Sequence, residues 1–188
     1  MFRFLDNHKL GAAVILFMTA APSFFSCVDD KLATVDAIDR KKVPGQYVRN
    51  ISTLISDSGV VKYRIFAEEW YVFDKADTPY YDFPEGLFLE NFDSLKNVTA
   101  SIKCKNAQYY IDDELWDLKD SVHAMNTHGE HFETNHLFWN QKTEKVYSKE
   151  RIKITQKNRI IIGREFESNQ SFTEYVIKNP EGVFPVED

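Results

Sequence analysis

Cysteine is almost absent: the 188 residues hold two, Cys27 and Cys104. Cys27 follows an apolar run and Cys104 lies between two lysines; if Cys27 serves elsewhere, Cys104 has no internal partner and the fold rests on its core alone. Excess positive charge is missing too. The net charge is -6, the pI is about 5.4, and no basic run occurs, which excludes the electrostatic footprint of a nucleic-acid binder. Equally absent are a Gly-rich phosphate loop, a GxSxG elbow, an HExxH pair and a CxxC pair. Without these motifs no catalytic centre is expected, and neither a metal nor a cofactor.

Alternating apolar positions are plentiful. Between 121 and 175, Val122 and Ala124, Phe132 and Thr134, Ile152 and Ile154, and Ile160 and Ile162 each stand one residue apart. Period two marks strands with one buried face. Polar turn signals separate them at Asn126 to Gly129, Asn140 to Thr143, Thr155 to Arg159 and Glu167 to Gln170. Aromatics reach 14%, which also suits strands. The apolar face changes parity within one segment, from Phe132 and Thr134 to Leu137 and Trp139. A regular strand forbids that, so a bulge or corner is expected near Asn135, as in folds with two packed sheets.

Upstream, residues 1–27 read as an export signal. Arg3, His8 and Lys9 precede an uncharged run of about a dozen residues, short of the ~20 that span a bilayer as a helix. Ser26-Cys27 then resembles a lipobox, with Cys27 as the site of lipid attachment; the alternative is an uncleaved anchor from Leu10 to Val28. Either way the remainder is tethered to a membrane on its non-cytoplasmic side. Residues 28–46 alternate in charge and read as a polar tether, 47–180 as the folded domain and 181–188 as a tail. Val61, Tyr63, Ile65 and Ala67 form a half-buried strand; Val98, Ala100, Ile102 and Cys104 form another, with Cys104 as an inert core thiol.

Two constellations invite chemistry. His123, His128, His131 and His136 crowd one segment, but their spacing does not converge four ligands on a strand, and surface histidines explain them. Carboxylates such as Glu68, Glu69, Asp112, Asp113, Glu114 and Glu133 lie near aromatics, where acidic turns on an acidic surface account for them.

The run from Ser56 through Ala67, the Phe83-Pro-Glu-Gly-Leu-Phe-Leu89 turn, and Asn126 to Gly129 with Phe132, Thr134, Leu137 and Trp139 together resemble the LptC family. Ile152-Lys-Ile154, Ile162-Gly163 and Phe166 resemble the strand repeat that LptC shares with LptA. The resemblance implies an all-β, twisted jellyroll or sandwich of antiparallel strands with an apolar groove. It further implies a non-catalytic conduit that accepts lipopolysaccharide from an inner-membrane ABC transporter and passes it to an LptA-like periplasmic protein. Val122, Ala124, Phe132, Leu137, Trp139, Ile152, Ile154 and Phe166 are the groove candidates. Val61, Tyr63 and Ile65 are expected at the transporter edge, and Phe172, Glu174 and Val176 at the LptA edge. The implied location is the periplasmic side of a Gram-negative inner membrane. An acidic chain cannot hold an anionic glycolipid by bulk charge, so acyl burial must supply the binding. The anchor departs from the family, whose better-known members keep a transmembrane helix. A second reading is a periplasmic or surface lipoprotein that binds a polysaccharide or a protein through its sheets.

Overall fold

A computed structural model describes residues 39–185. The export signal and Cys27, with the tether as far as residue 38, lie outside the described residues, as does the end of the tail. Among the described residues every regular element is a strand: β1 (Gln46–Asp57), β2 (Val60–Phe73), β3 (Tyr80–Phe83), β4 (Leu87–Phe92), β5 (Val98–Cys104), β6 (Asn106–Tyr110), β7 (Leu115–Asn126), β8 (His131–Asn140), β9 (Lys145–Ser148), β10 (Ile152–Gln156), β11 (Arg159–Asn169) and β12 (Tyr175–Pro185). β12 therefore extends past 180 into the stretch expected to be a tail.

All pairings are antiparallel, and the long strands change partners midway. β2 pairs β4 through 63–67 and β3 through 71–73. β7 pairs β5 through 123–126 and β6 through 115–119. β8 pairs β10 through 131–134 and β9 through 138–140, while β11 pairs β10 through 159–163 and β9 through 166–169. β3 with β4, β5 with β6, and β9 with β10 are thus halves of single paths. The sheet is a meander folded along one crease into two leaves. One leaf carries β4, β5 and β10, the other β3, β6 and β9.

The crease has a sequence-level cause. Crossing it, buried positions step by three residues instead of two, from Cys104 to Ala107 and from Thr134 to Leu137, and the same face is regained on the other leaf. On β7 the step is four, from Leu118 to Val122, because Asp120 and Ser121 together oppose the single Asn135. That is the expected bulge, located on the partner strand. Left-handed backbone at Asn50, Asp120, Ser121 and Glu165, with φ of 52°, 59°, 53° and 54°, supplies the bend. Polar side chains satisfy backbone groups freed there. The Thr134 hydroxyl donates to the Arg151 carbonyl at 3.0 Å, and the Ser148 hydroxyl to the His136 carbonyl at 2.6 Å.

The inward faces of the leaves form the core. Trp139, Phe166, Phe132, Ile152, Ile154, Val122 and Leu118 are all buried between them, each contributing roughly 1.5–3 kcal/mol over exposure. Cys104 is a buried free thiol, its pKa pushed up to about 11 chiefly by that burial, so it packs as a small hydrophobe.

Candidate functional site

The interior between the leaves differs from one half to the other. Towards β12 it is sealed. The loop that joins β11 to β12 places Phe172 inside, fully buried, with its ring centroid 5.1 Å from Phe132 and 6.3 Å from Phe166. The loop is fastened across the mouth: Asn126 Nδ2 donates to the Phe172 carbonyl at 2.8 Å, and the Phe172 N–H to the Asn169 carbonyl at 3.1 Å. Tyr175 adds an edge-on contact to Phe132 at 5.3 Å, while Gln156 Nε2 donates to its hydroxyl at 2.8 Å.

Towards β1 the leaves stand apart around a cavity of about 210 Å³. Ile51, Thr53 and Ile55 of β1 line it with Tyr63 and Ile65 of β2 and Leu89 of β4; Trp70, Tyr81, Phe83, Tyr109 and Trp116 face them, and Gln141 is the one amide residue of the lining. An apolar cavity of ~150 Å³ admits benzene, whereas pockets for whole small molecules begin near 300 Å³. This space therefore suits a segment of an alkyl chain. The Tyr63 hydroxyl, pushed up to about 12 first by burial and then by Glu144, Tyr109, Asp57 and Glu114, stays protonated. It bridges the two halves by donating to Gln170 Oε1 at 3.4 Å.

The eight groove candidates, Val122, Ala124, Phe132, Leu137, Trp139, Ile152, Ile154 and Phe166, all point into the interior and are at most 3% exposed. None of them lines the cavity; they form the packed interior beside it. The cavity residues Ile51, Thr53, Ile55, Trp70, Tyr81 and Tyr109 were not among the expected set. Their signal in the sequence is the density of aromatics at Trp70, Tyr80-Tyr81 and Tyr109-Tyr110.

Two edge expectations are corrected. Val61, Tyr63 and Ile65 lie on β2, where all three pair β1, and Tyr63 and Ile65 pair β4 on the other side as well, so these two are interior to the sheet. Among the described residues the free edge there belongs to β1, where Leu54 is 54% exposed. At the opposite end β12 pairs only β11 among the described residues, and its Val176 is exposed. Glu174 precedes that strand, its carbonyl accepting from the Asn169 N–H at 3.1 Å and the Ser168 hydroxyl at 3.0 Å. Phe172, expected at the same edge, belongs to the core because its side chain turns inward.

Among the described residues no group of three His, Cys, Asp or Glu side chains could hold a metal ion, and no helix is long and apolar enough to cross a membrane. His136 Nε2 lies 2.6 Å from Asp117 Oδ1, and His123 Nδ1 lies 3.5 Å from Glu133 Oε1, so both are engaged in pairs on the outer face.

Fold and interior define a class: a β-meander folded over an apolar space, with a bare strand at each edge among the described residues. The family follows from comparison. The model for "Lipopolysaccharide-assembly, LptC-related" proteins matches residues 12–178, and the chain belongs to the LptC family. Its members are non-catalytic, and their β-domain is periplasmic. No curated protein matches the chain.

Proposed function

We propose that this domain is a passive stage in lipopolysaccharide export, taking the lipid's acyl chains between its leaves. The observation that carries the proposal is the apolar cavity between β1, β2 and the Trp70–Trp116 side of the opposite leaf, in a domain of this family. Each methylene moved from water into that space contributes at most ~0.8 kcal/mol, so a chain segment binds without any cationic residue. In this reading Val122, Ala124, Phe132, Leu137, Trp139, Ile152, Ile154 and Phe166 extend the path once Phe172 withdraws. The inner-membrane ABC transporter delivers the lipid at the β1 edge, and an LptA-like protein receives it at the β12 edge. Strand edges that are unpaired among the described residues and carry exposed apolar side chains, Leu54 on β1 and Val176, Val183 and Phe184 on β12, support docking by strand addition. A membrane tether upstream of residue 39, lipid-linked at Cys27 or helical, would hold the domain at the periplasmic face of the inner membrane.

Native mass spectrometry of the protein purified from Gram-negative envelopes tests the proposal. The expected result is one acylated glycolipid per chain, lost when Thr53→Trp fills the cavity. A lipid-free protein under conditions that retain lipid on other envelope carriers would contradict it.

A further inference from the structure

We infer that Phe172 is a hinged plug that occupies, in place of ligand, the β12-side part of the alkyl path, and that the loop from Asn169 to Tyr175 withdraws it when a chain longer than the β1-side cavity enters. The inference rests on the acyl-path reading above and adds the regulation of that path.

Space sets the requirement. The β1-side cavity holds about 210 Å³, below the ~300 Å³ at which pockets take a whole small molecule, so a longer chain must find room in the packed half. There Trp139, Phe166, Leu137 and Ile152 are fully buried on strands and fixed by their ladders. Phe172 is buried as deeply, yet it stands between β11 and β12. Its ring can therefore leave without breaking a strand pairing.

The backbone of Phe172 is not at rest in the closed position. Its φ is 56°, a left-handed value that a bulky residue rarely adopts, and such outliers gather at ligand clamps and switch segments. One side chain catches it from across the mouth. Asn126, itself 4% exposed, donates from Nδ2 to the Phe172 carbonyl at 2.8 Å and to Glu130 Oε2 at 2.7 Å, while its Oδ1 accepts from the His128 and Glu130 N–H groups at 2.9 and 3.0 Å. At the hinge, the Asn169 side chain accepts from the Thr173 N–H at 3.0 Å. Between hinge and ring, Gln170 joins the loop to the cavity: its Oε1 accepts from the hydroxyl of Tyr63, a lining residue, at 3.4 Å. A chain that fills the cavity thus meets a side chain already bonded to the plug's own loop.

Water entering behind a withdrawn ring would leave the faces of Phe132 and Phe166 wet, so the empty protein stays closed. An alkyl chain in the same place restores their apolar contact, and it binds only the open form. That difference in affinity is what shifts the equilibrium, and the closed fraction lowers the apparent affinity.

Fluorine NMR of the full chain carrying 4-fluorophenylalanine at position 172 tests this. The probe is dodecyl maltoside below its micellar concentration, with its binding measured separately by calorimetry. The buried resonance is expected to give way to a solvent-exposed one in proportion to calorimetric saturation. Asn126→Ala is expected to tighten dodecyl maltoside ~2- to 10-fold by releasing the catch, and Phe172→Ala on the order of 10-fold by removing the plug. The resonance is read on a chain with both Asn126 and the aromatic ring in place, so it decides the matter if either variant fails to fold. Binding of the probe with the resonance unmoved overturns the plug and leaves the acyl path at the β1-side cavity intact. Absence of calorimetric binding overturns the two together.

Discussion

Replacing Phe172 with alanine separates a core plug from an edge contact. The side chain is fully buried against Phe132 and Phe166, while the main-chain bonds from Asn126 and to Asn169 survive the substitution. The left-handed backbone, φ 56°, is also common to both residues, so its strain cancels and only the lost packing counts. Truncating a buried phenylalanine costs about 3–5 kcal/mol. At ~2–4 °C per kcal/mol for a domain of this size, the melting temperature is expected to fall by roughly 6–20 °C. Differential scanning fluorimetry measures that fall. The vacated space adjoins the interior, so methyl octanoate is expected to raise the melting temperature of the variant more than that of the unsubstituted protein. Val176→Ala is the control: Val176 is 59% exposed, and its truncation is expected to stay within about 0.5 kcal/mol. The reasoning is refuted if Phe172→Ala costs less than about 1 kcal/mol.

Gly86 turns the chain between β3 and β4 with φ 75°, and a Cβ there would overlap the Cys104 carbonyl. Gly86→Ala is therefore expected to cost about 3 kcal/mol or more in chemical denaturation, with unchanged stability as the refuting result. Glu133 bonds Lys153 Nζ at 2.8 Å, which holds its carboxyl below the ordinary value of 4.5. A depressed carboxylate stabilises the fold above that ordinary value and loses the contribution as pH falls through the folded one. Glu133→Gln is thus expected to melt slightly lower at pH 7 and level with the unsubstituted protein near pH 3, and a gap that widens on acidification would contradict the assignment.

The sequence makes the inward faces legible because burial follows period two, and the shift from Thr134 to Leu137 discloses the crease on β8. On β2 the same crease disguises continuity. The buried side passes from Ile65 and Ala67 to Trp70, so one strand, 60–73, reads as two segments. β1 is harder still. Its apolar residues Tyr47, Val48, Ile51, Leu54 and Ile55 obey no single period because the strand crosses the crease and leaves both faces partly exposed. Without β1, β2 reads as the edge, and the residues that open the interior stay hidden. Nor can alternation distinguish a packed interior from an open one. Phe132 and Ile65 carry the same pattern, yet Phe132 meets Phe172 whereas Ile65 lines a cavity. That difference comes from a loop reaching across the mouth, a contact made far from either residue in sequence.

The most direct test of the acyl path uses neighbouring residues of β1. Thr53 and Ile55 line the cavity, Thr53 half-buried and Ile55 40% exposed, whereas Leu54, between them, is 54% exposed and is not part of the lining. A photo-crosslinking residue at each position in living cells is expected to capture lipopolysaccharide at 53 and 55 and not at 54. Capture at all three alike, or at 54 alone, would contradict a path between the leaves.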